Sequence, residues 1–287
     1  MSLSPFKSDA SRAAVMEIYE RRLAAWPKPV RQIDLATPGG RTRVTAGGAE
    51  SGLPVLLLHG SQTNAMMWQP YAHHLAPRFR LFALDAPWGP GKGEFDGQWP
   101  ESPAAWIGSV MEGLALKRAA LVGFSVGGTL ALSALAALGD RAAAVACVSS
   151  GPGGFAPKPT LLLPTLLASI LKTRGAYRRM IRIAAPSGRM DTETEEYLLR
   201  FPLHCVALSR PPEAVSTPSE GMVETPALFL FGGRDATLEA ARATAFVRES
   251  FSRAETSTYP GLGHLLFAEE PGTVFPRIAE FLGGIPS

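Results

Sequence analysis

Five short runs constrain this chain more than anything else in it: VLLLHG at 55–60, RLFALD at 80–85, AALVGF at 119–124, AVACVSS at 144–150 and PALFLFGG at 226–233. Each is apolar at consecutive positions, so both faces of the strand it forms must be covered. That is the pattern of a parallel sheet clothed by helices. Helical spacing falls between the runs, at 66–76, 103–115, 126–138 and 239–251. Strand, helix, strand order requires right-handed crossovers and predicts an α/β fold with a mostly parallel, doubly wound sheet. An antiparallel pair precedes it, RQIDLAT at 31–37 and RTRVTA at 41–46, turned by Pro38, Gly39 and Gly40.

The alternation breaks at about Gly151 and resumes at about Thr225. The expected organisation is therefore a core from residues 1–150 and 225–287 with a helical cap inserted at 151–224. Within the insertion, LLLPTLLASIL at 161–171 is interrupted by Pro164 and is far shorter than the roughly 20 residues that span a bilayer. It reads as a buried or pocket-lining helix. The basic stretch KTRGAYRRMIRI at 172–183 precedes the acidic DTETEE at 191–196, which suits a solvated helix face beside an oppositely charged helix start. An anion-attracting rim is the alternative reading.

Composition closes off several classes. With 46% hydrophobic and 18% charged residues in 287, the chain can bury a core large enough to shape a site. Net charge is +3 without a long Lys/Arg tract, so no nucleic-acid footprint is expected. Two cysteines, Cys147 and Cys205, stand far apart and in no metal-like spacing, which speaks against a disulfide scaffold or a bound metal. The start of the chain lacks the continuous apolar segment of a secretory signal, and a cytoplasmic setting is expected. Oligomeric state has no signature here.

Chemistry centres on LVGFSVGG at 121–128. Gly123-Phe124-Ser125-Val126-Gly127 fits G-x-S-x-G, a pattern that arises by chance about 0.2 times in a chain this rich in glycine. Its setting, after a strand and at the start of a helix, turns the pattern into a nucleophile elbow. A sharp strand-to-helix turn strains the serine backbone, and glycines two residues either side let strand and helix approach. The hydroxyl would then stand at the carboxyl edge of the sheet and at a helix N-terminus.

A serine hydroxyl needs a base to take its proton. Of five histidines, His73 and His74 lie in a helical run and read as surface, while His204 in the insertion suits pocket lining and packing equally. His264, in the loop YPGLGHLLF after the last β-like run, can reach the sheet edge. Asp235 ends the strand FLFGGRD about 29 residues earlier, leaving room for one helix and one strand. Asp85 precedes the serine and is expected to tie down the loop APWGPGKG. The expected catalytic set is Ser125, Asp235 and His264, with oxyanion donors from the N–H of Val126 and of Ser61, Gln62 being the weaker choice. His59 is expected to brace that loop and Asn64 to cap the next helix. An apolar substrate pocket is expected from Trp68, Trp88, Phe124 and Phe155, with Met66 and Met67 nearby and with His59 and Gln62 at its rim.

Taken together, the early hairpin, the HG loop at 59–60, the elbow, GGRD and GLGH resemble the α/β-hydrolase superfamily across nearly the whole chain. The stretches HGSQTNAMMWQPYAHHL and ERRLAAWPKPV are also similar to bacterial carboxylesterases of that superfamily. The resemblance implies hydrolysis of a small-molecule ester through an acyl-enzyme, with no cofactor and no metal. The family loop D-x-R-G-x-G-x-S is replaced here by Asp85-Ala-Pro-Trp-Gly-Pro-Gly-Lys92, so the family's substrates do not carry over. C–C bond hydrolase, thioesterase, lactonase and perhydrolase chemistry use the same triad, and a non-catalytic ligand-binding role is the remaining class.

Overall fold

The computed structural model describes residues 4–152, 157–206, 208 and 224–286. A nine-stranded sheet organises it. The strands are β1 Val30–Thr37, β2 Gly40–Gly48, β3 Pro54–Leu58, β4 Arg80–Asp85, β5 Glu94–Phe95, β6 Ala119–Phe124, β7 Ala142–Val148, β8 Ala227–Gly232 and β9 Ala254–Tyr259. In the order β1-β2-β4-β3-β6-β7-β8-β9, β2 pairs antiparallel with β1 and β4, and also with β5 off that path, and every pairing from β4 through β3 to β9 is parallel. The hairpin turns where the Pro-Gly-Gly sequence requires it, with Gly39 at φ +94° and Gly40 at φ +119°.

Alternate residues of the parallel strands feed two separate cores. Val55, Leu57 and Val122 face helices α1 (Asp9–Ala24) and α10 (Pro271–Gly283). Leu56, Leu58 and Leu121 face α3 (Pro103–Gly113), α4 (Val126–Leu138) and α8 (Ala240–Ser250). Burying each such side chain contributes about 1.5–3 kcal/mol, which is why the central strands cannot move while the loops at their ends can vary.

The helical run expected at 66–76 is broken. Ala65–Tyr71 is a 3-10 helix with Pro70 inside it, followed by the short α2, Ala72–Leu75. Pro70 supplies no N–H for an α-helical ladder and breaks it, and the 3-10 coil is the form that short helical pieces commonly take. Asn64 caps this element by accepting from Met66 N–H at 3.1 Å.

Between β7 and β8 the described residues form α5 (Pro159–Leu171), α6 (Arg174–Ala184) and α7 (Thr192–His204). The basic and acidic stretches face one another: Arg174 and Arg178 pair with Glu196, and Arg178 and Arg182 with Glu195. α5 differs from expectation. It is neither buried nor enclosed: only Ala168 is buried, and six of its Leu and Ile side chains are 43–65% exposed. A wholly apolar sequence favours burial, but nothing among the described residues packs over its outer surface. Short α9, Leu266–Glu269, completes the chain ahead of α10.

Candidate active site

β6 delivers Ser125 into a turn that only this local sequence allows. Ser125 sits at φ +53°, ψ −123°, outside the regions L-residues ordinarily occupy and worth about 1–3 kcal/mol of strain. Its N–H donates to Val148 O at 2.9 Å, and its carbonyl accepts from Gly128 and Thr129, so the surrounding bonds hold the strain in place. A Cβ on Gly127 would stand 2.3 Å from Leu58 O, and one on Gly123 would stand 2.4 Å from Gly128 N. Any other residue at either site would push the elbow off the sheet. The Val126 N–H that follows is one of the donors a helix start leaves without an intrahelical acceptor.

Three side chains converge at the sheet edge. Ser125 Oγ lies 3.0 Å from His264 Nε2, and His264 Nδ1 lies 2.8 Å from Asp235 Oδ2. With the proton on Nδ1, that nitrogen donates to the carboxylate and Nε2 accepts from the serine hydroxyl. Asp235 is fully buried, while Ser125 and His264 are 8% and 9% exposed, enough to meet a substrate from one side. Burial opposes the charge on Asp235. The His264 hydrogen bond and the Thr237 N–H and hydroxyl outweigh it, holding the carboxyl below the ordinary aspartate range.

Two contacts here were not anticipated from sequence. Thr237 Oγ donates to Asp235 Oδ1 at 2.7 Å and sits 2.8 Å from His264 Nδ1, so one hydroxyl touches both partners. The D-x-T spacing of Asp235 and Thr237 is a local turn signature that could have flagged it. Ser149, at the end of β7, donates its hydroxyl to His264 O at 2.6 Å and fixes the loop from across the sheet. No sequence pattern points to that contact.

Beside the elbow is a cleft lined by Leu58, His59, Ser61, Gln62, Trp88 and Val126 among others. Ser61 and Val126, the two expected N–H donors, thus share one concavity. His59 braces its rim as expected: Nδ1–H donates to Gly60 O at 2.8 Å and Nε2 accepts from Ala86 N–H at 3.4 Å. Burial lowers its pKa despite the Gly60 carbonyl and nearby Asp85, so the ring is neutral at neutral pH. Asp85 ties down its loop by accepting from Tyr19 Oη at 2.7 Å, Ala65 N–H at 2.7 Å and Lys92 N–H at 3.0 Å.

Other expected pocket residues lie elsewhere. Trp68 is 1% exposed, edge-on to Phe275 at 6.3 Å, in the core with Met66 and Met67. Apolar spacing is the same for a core and a cleft, and the 3-10 helix turns these three under α10. Phe124 packs beneath His264, ring to ring at 5.2 Å, and supports the imidazole without lining the cleft. Trp88 does line it, backed by Trp106 at 5.0 Å. Phe155 lies outside the described residues. His204 ends α7, where its carbonyl accepts from Lys7 N–H at 3.0 Å, and His73 and His74 stack on each other near the surface.

A model of the alpha/beta hydrolase family matches residues 55–277. Carboxylesterase YbfK of Bacillus subtilis is 24% identical over 290 residues, covering 94% of each chain. An uncharacterised carboxylesterase, nap, of the same organism is 26% identical over 140 residues, 46% of this chain and 45% of that one. Among solved structures, the naproxen esterase of Bacillus subtilis superposes with a TM-score of 0.79 over 96% of this chain and 98% of its own, at 21% identity.

Proposed function

The chain belongs to the alpha/beta hydrolase family, and we propose that within it this protein is a serine carboxylesterase acting on a small or medium apolar ester. The continuous path Asp235 to His264 to Ser125, with links of 2.8 and 3.0 Å on a strained elbow, carries this reading. The names of its relatives YbfK and nap support the ester class.

In the proposed reaction His264 Nε2 takes the Ser125 proton as Oγ attacks the ester carbonyl carbon. The carbonyl becomes an oxyanion held by the N–H groups of Ser61 and Val126, each worth a few kcal/mol of barrier. Collapse breaks the C–O bond to the alcohol, which leaves with the proton from His264 and leaves the acyl group on Ser125. Water, deprotonated by His264, attacks that ester, and the acid departs as Ser125 regains its proton. Asp235 orients the imidazole and stabilises its cation throughout.

Residues 1–150 and 225–287 form the catalytic core in this account, and 151–224 a cap that sets specificity. Leu58, Trp88, Trp106 and Leu130 give the cleft beside Val126 an apolar lining, which favours an uncharged acyl or alcohol group there. The test is a chain-length series of nitrophenyl esters with the natural chain and with Ser125→Ala. A maximum at short to medium acyl groups and a loss of about 10⁴-fold or more on substitution are expected. Undiminished turnover by the folded variant would overturn the assignment.

A further inference from the structure

Among the described residues, the most exposed apolar surface lies on one element. Leu162, Leu163, Leu166, Leu167, Ile170 and Leu171 all project from α5 and all are 43–65% exposed, with Val206 the only other large hydrophobic so open among the described residues. Isolated exposed leucines need no explanation, but a contiguous patch of this size marks a surface that meets something other than water. The charges around it indicate what. From Lys158 to Met190 there are seven Lys and Arg residues and no Asp or Glu. Glu195 and Glu196 of α7 neutralise Arg174, Arg178 and Arg182, whereas Lys172 at the end of α5 and Arg179 on α6 are exposed and have no ion pair among the described residues.

We propose that α5 is an interfacial helix, on which the protein docks to an anionic lipid–water surface with the leucines in the acyl boundary and Lys172 and Arg179 at the headgroups. An uncharged apolar helix with cations beside it is the chemistry of such a surface. At 13 residues α5 lies on a bilayer and does not cross it, since crossing takes roughly 20. A second copy fits less well. Two-fold pairing of this face brings the basic flanks of both copies into one interface. The base of the helix is fastened beside the triad: Lys158 N–H donates to Ala236 O at 2.8 Å and Lys158 Nζ to Asp235 O at 2.7 Å. Docking through α5 would thus hold the cleft near the surface from which an amphiphilic ester would come.

Flotation of the full chain with vesicles tests this independently of the catalytic assignment, because binding needs no turnover. Vesicles of phosphatidylcholine containing one-third phosphatidylglycerol should carry the protein, and phosphatidylcholine alone should carry far less. Each of Lys172→Gln and Arg179→Gln should weaken binding about fivefold, an effect that salt erases. The triple variant Leu163→Gln, Leu166→Gln, Ile170→Gln should lose vesicle binding while its melting temperature stays unchanged. No flotation with anionic vesicles, equal flotation with neutral ones, or full binding by the triple variant would overturn the proposal. So would a solution dimer that the triple variant turns into a monomer.

Discussion

The edge of the sheet that holds Ser125 and helix α5 break the same rule in opposite directions. At the sheet edge, Ser125, Ser149, Asp235 and His264 are polar and buried; on α5, six large apolar side chains stand in water. The buried polar groups are stable because each finds a partner: Asp235 alone accepts from Thr237 N–H, Thr237 Oγ, Leu238 N–H and His264. The exposed apolar groups have no such compensation within the described chain. Local rules that a sequence breaks are where function is sought, and here one breach is answered inside the molecule while the other points outward.

Asp235→Asn probes the polar region most severely. The amide can keep the bonds that Thr237 and Leu238 give to Oδ1, but it turns an N–H₂ toward His264 and favours the wrong tautomer. Ester turnover should fall by about 10⁴-fold with the fold retained. Activity within tenfold of the natural chain would mean that this carboxylate does not orient the imidazole.

Paired truncations sharpen the contrast in stability. Leu121→Ala in β6 should destabilise by about 2–5 kcal/mol, whereas Leu163→Ala on α5 should change stability by no more than about 0.5 kcal/mol. Denaturant midpoints decide it. Equal losses would show that α5 is packed against the rest of the chain in solution.

A smaller effect is expected at Thr237. Replacing it with valine removes one hydroxyl between the acid and the base, and kcat should drop about tenfold, the equivalent of one hydrogen bond. Thr237→Ser should restore the rate at unchanged KM. A Thr237→Val enzyme with full kcat would reduce the contact to packing.

The two regions were also unequally legible. Ser125, Asp235 and His264 could be picked out because each stands in the turn or loop that follows a strand, and strand ends are where a parallel sheet gathers its loops. The hairpin, the helix 126–138 and the role of Asp85 were readable for the same reason: the signals are local. Ser149 reaches His264 from 115 positions away in the sequence, and the D-x-T turn of Asp235 and Thr237 is a short, common pattern, so neither stood out. Trp68, Met66 and Met67 have the composition of a pocket and occupy the core, because apolar spacing does not say which face of an element meets the sheet. α5 is the reverse case: its leucines argue for burial, and only the arrangement of its neighbours leaves them open.

The central claim is that Ser125 is a nucleophile activated by His264. Treating the protein with a serine-directed phosphonate and mapping the adduct by peptide mass spectrometry tests it most directly. One phosphonyl group per chain, on the peptide that holds Ser125, should appear in step with loss of ester turnover, and the His264→Ala variant should remain unlabelled. Labelling at another residue, or full turnover by protein whose Ser125 is completely modified, would contradict the account.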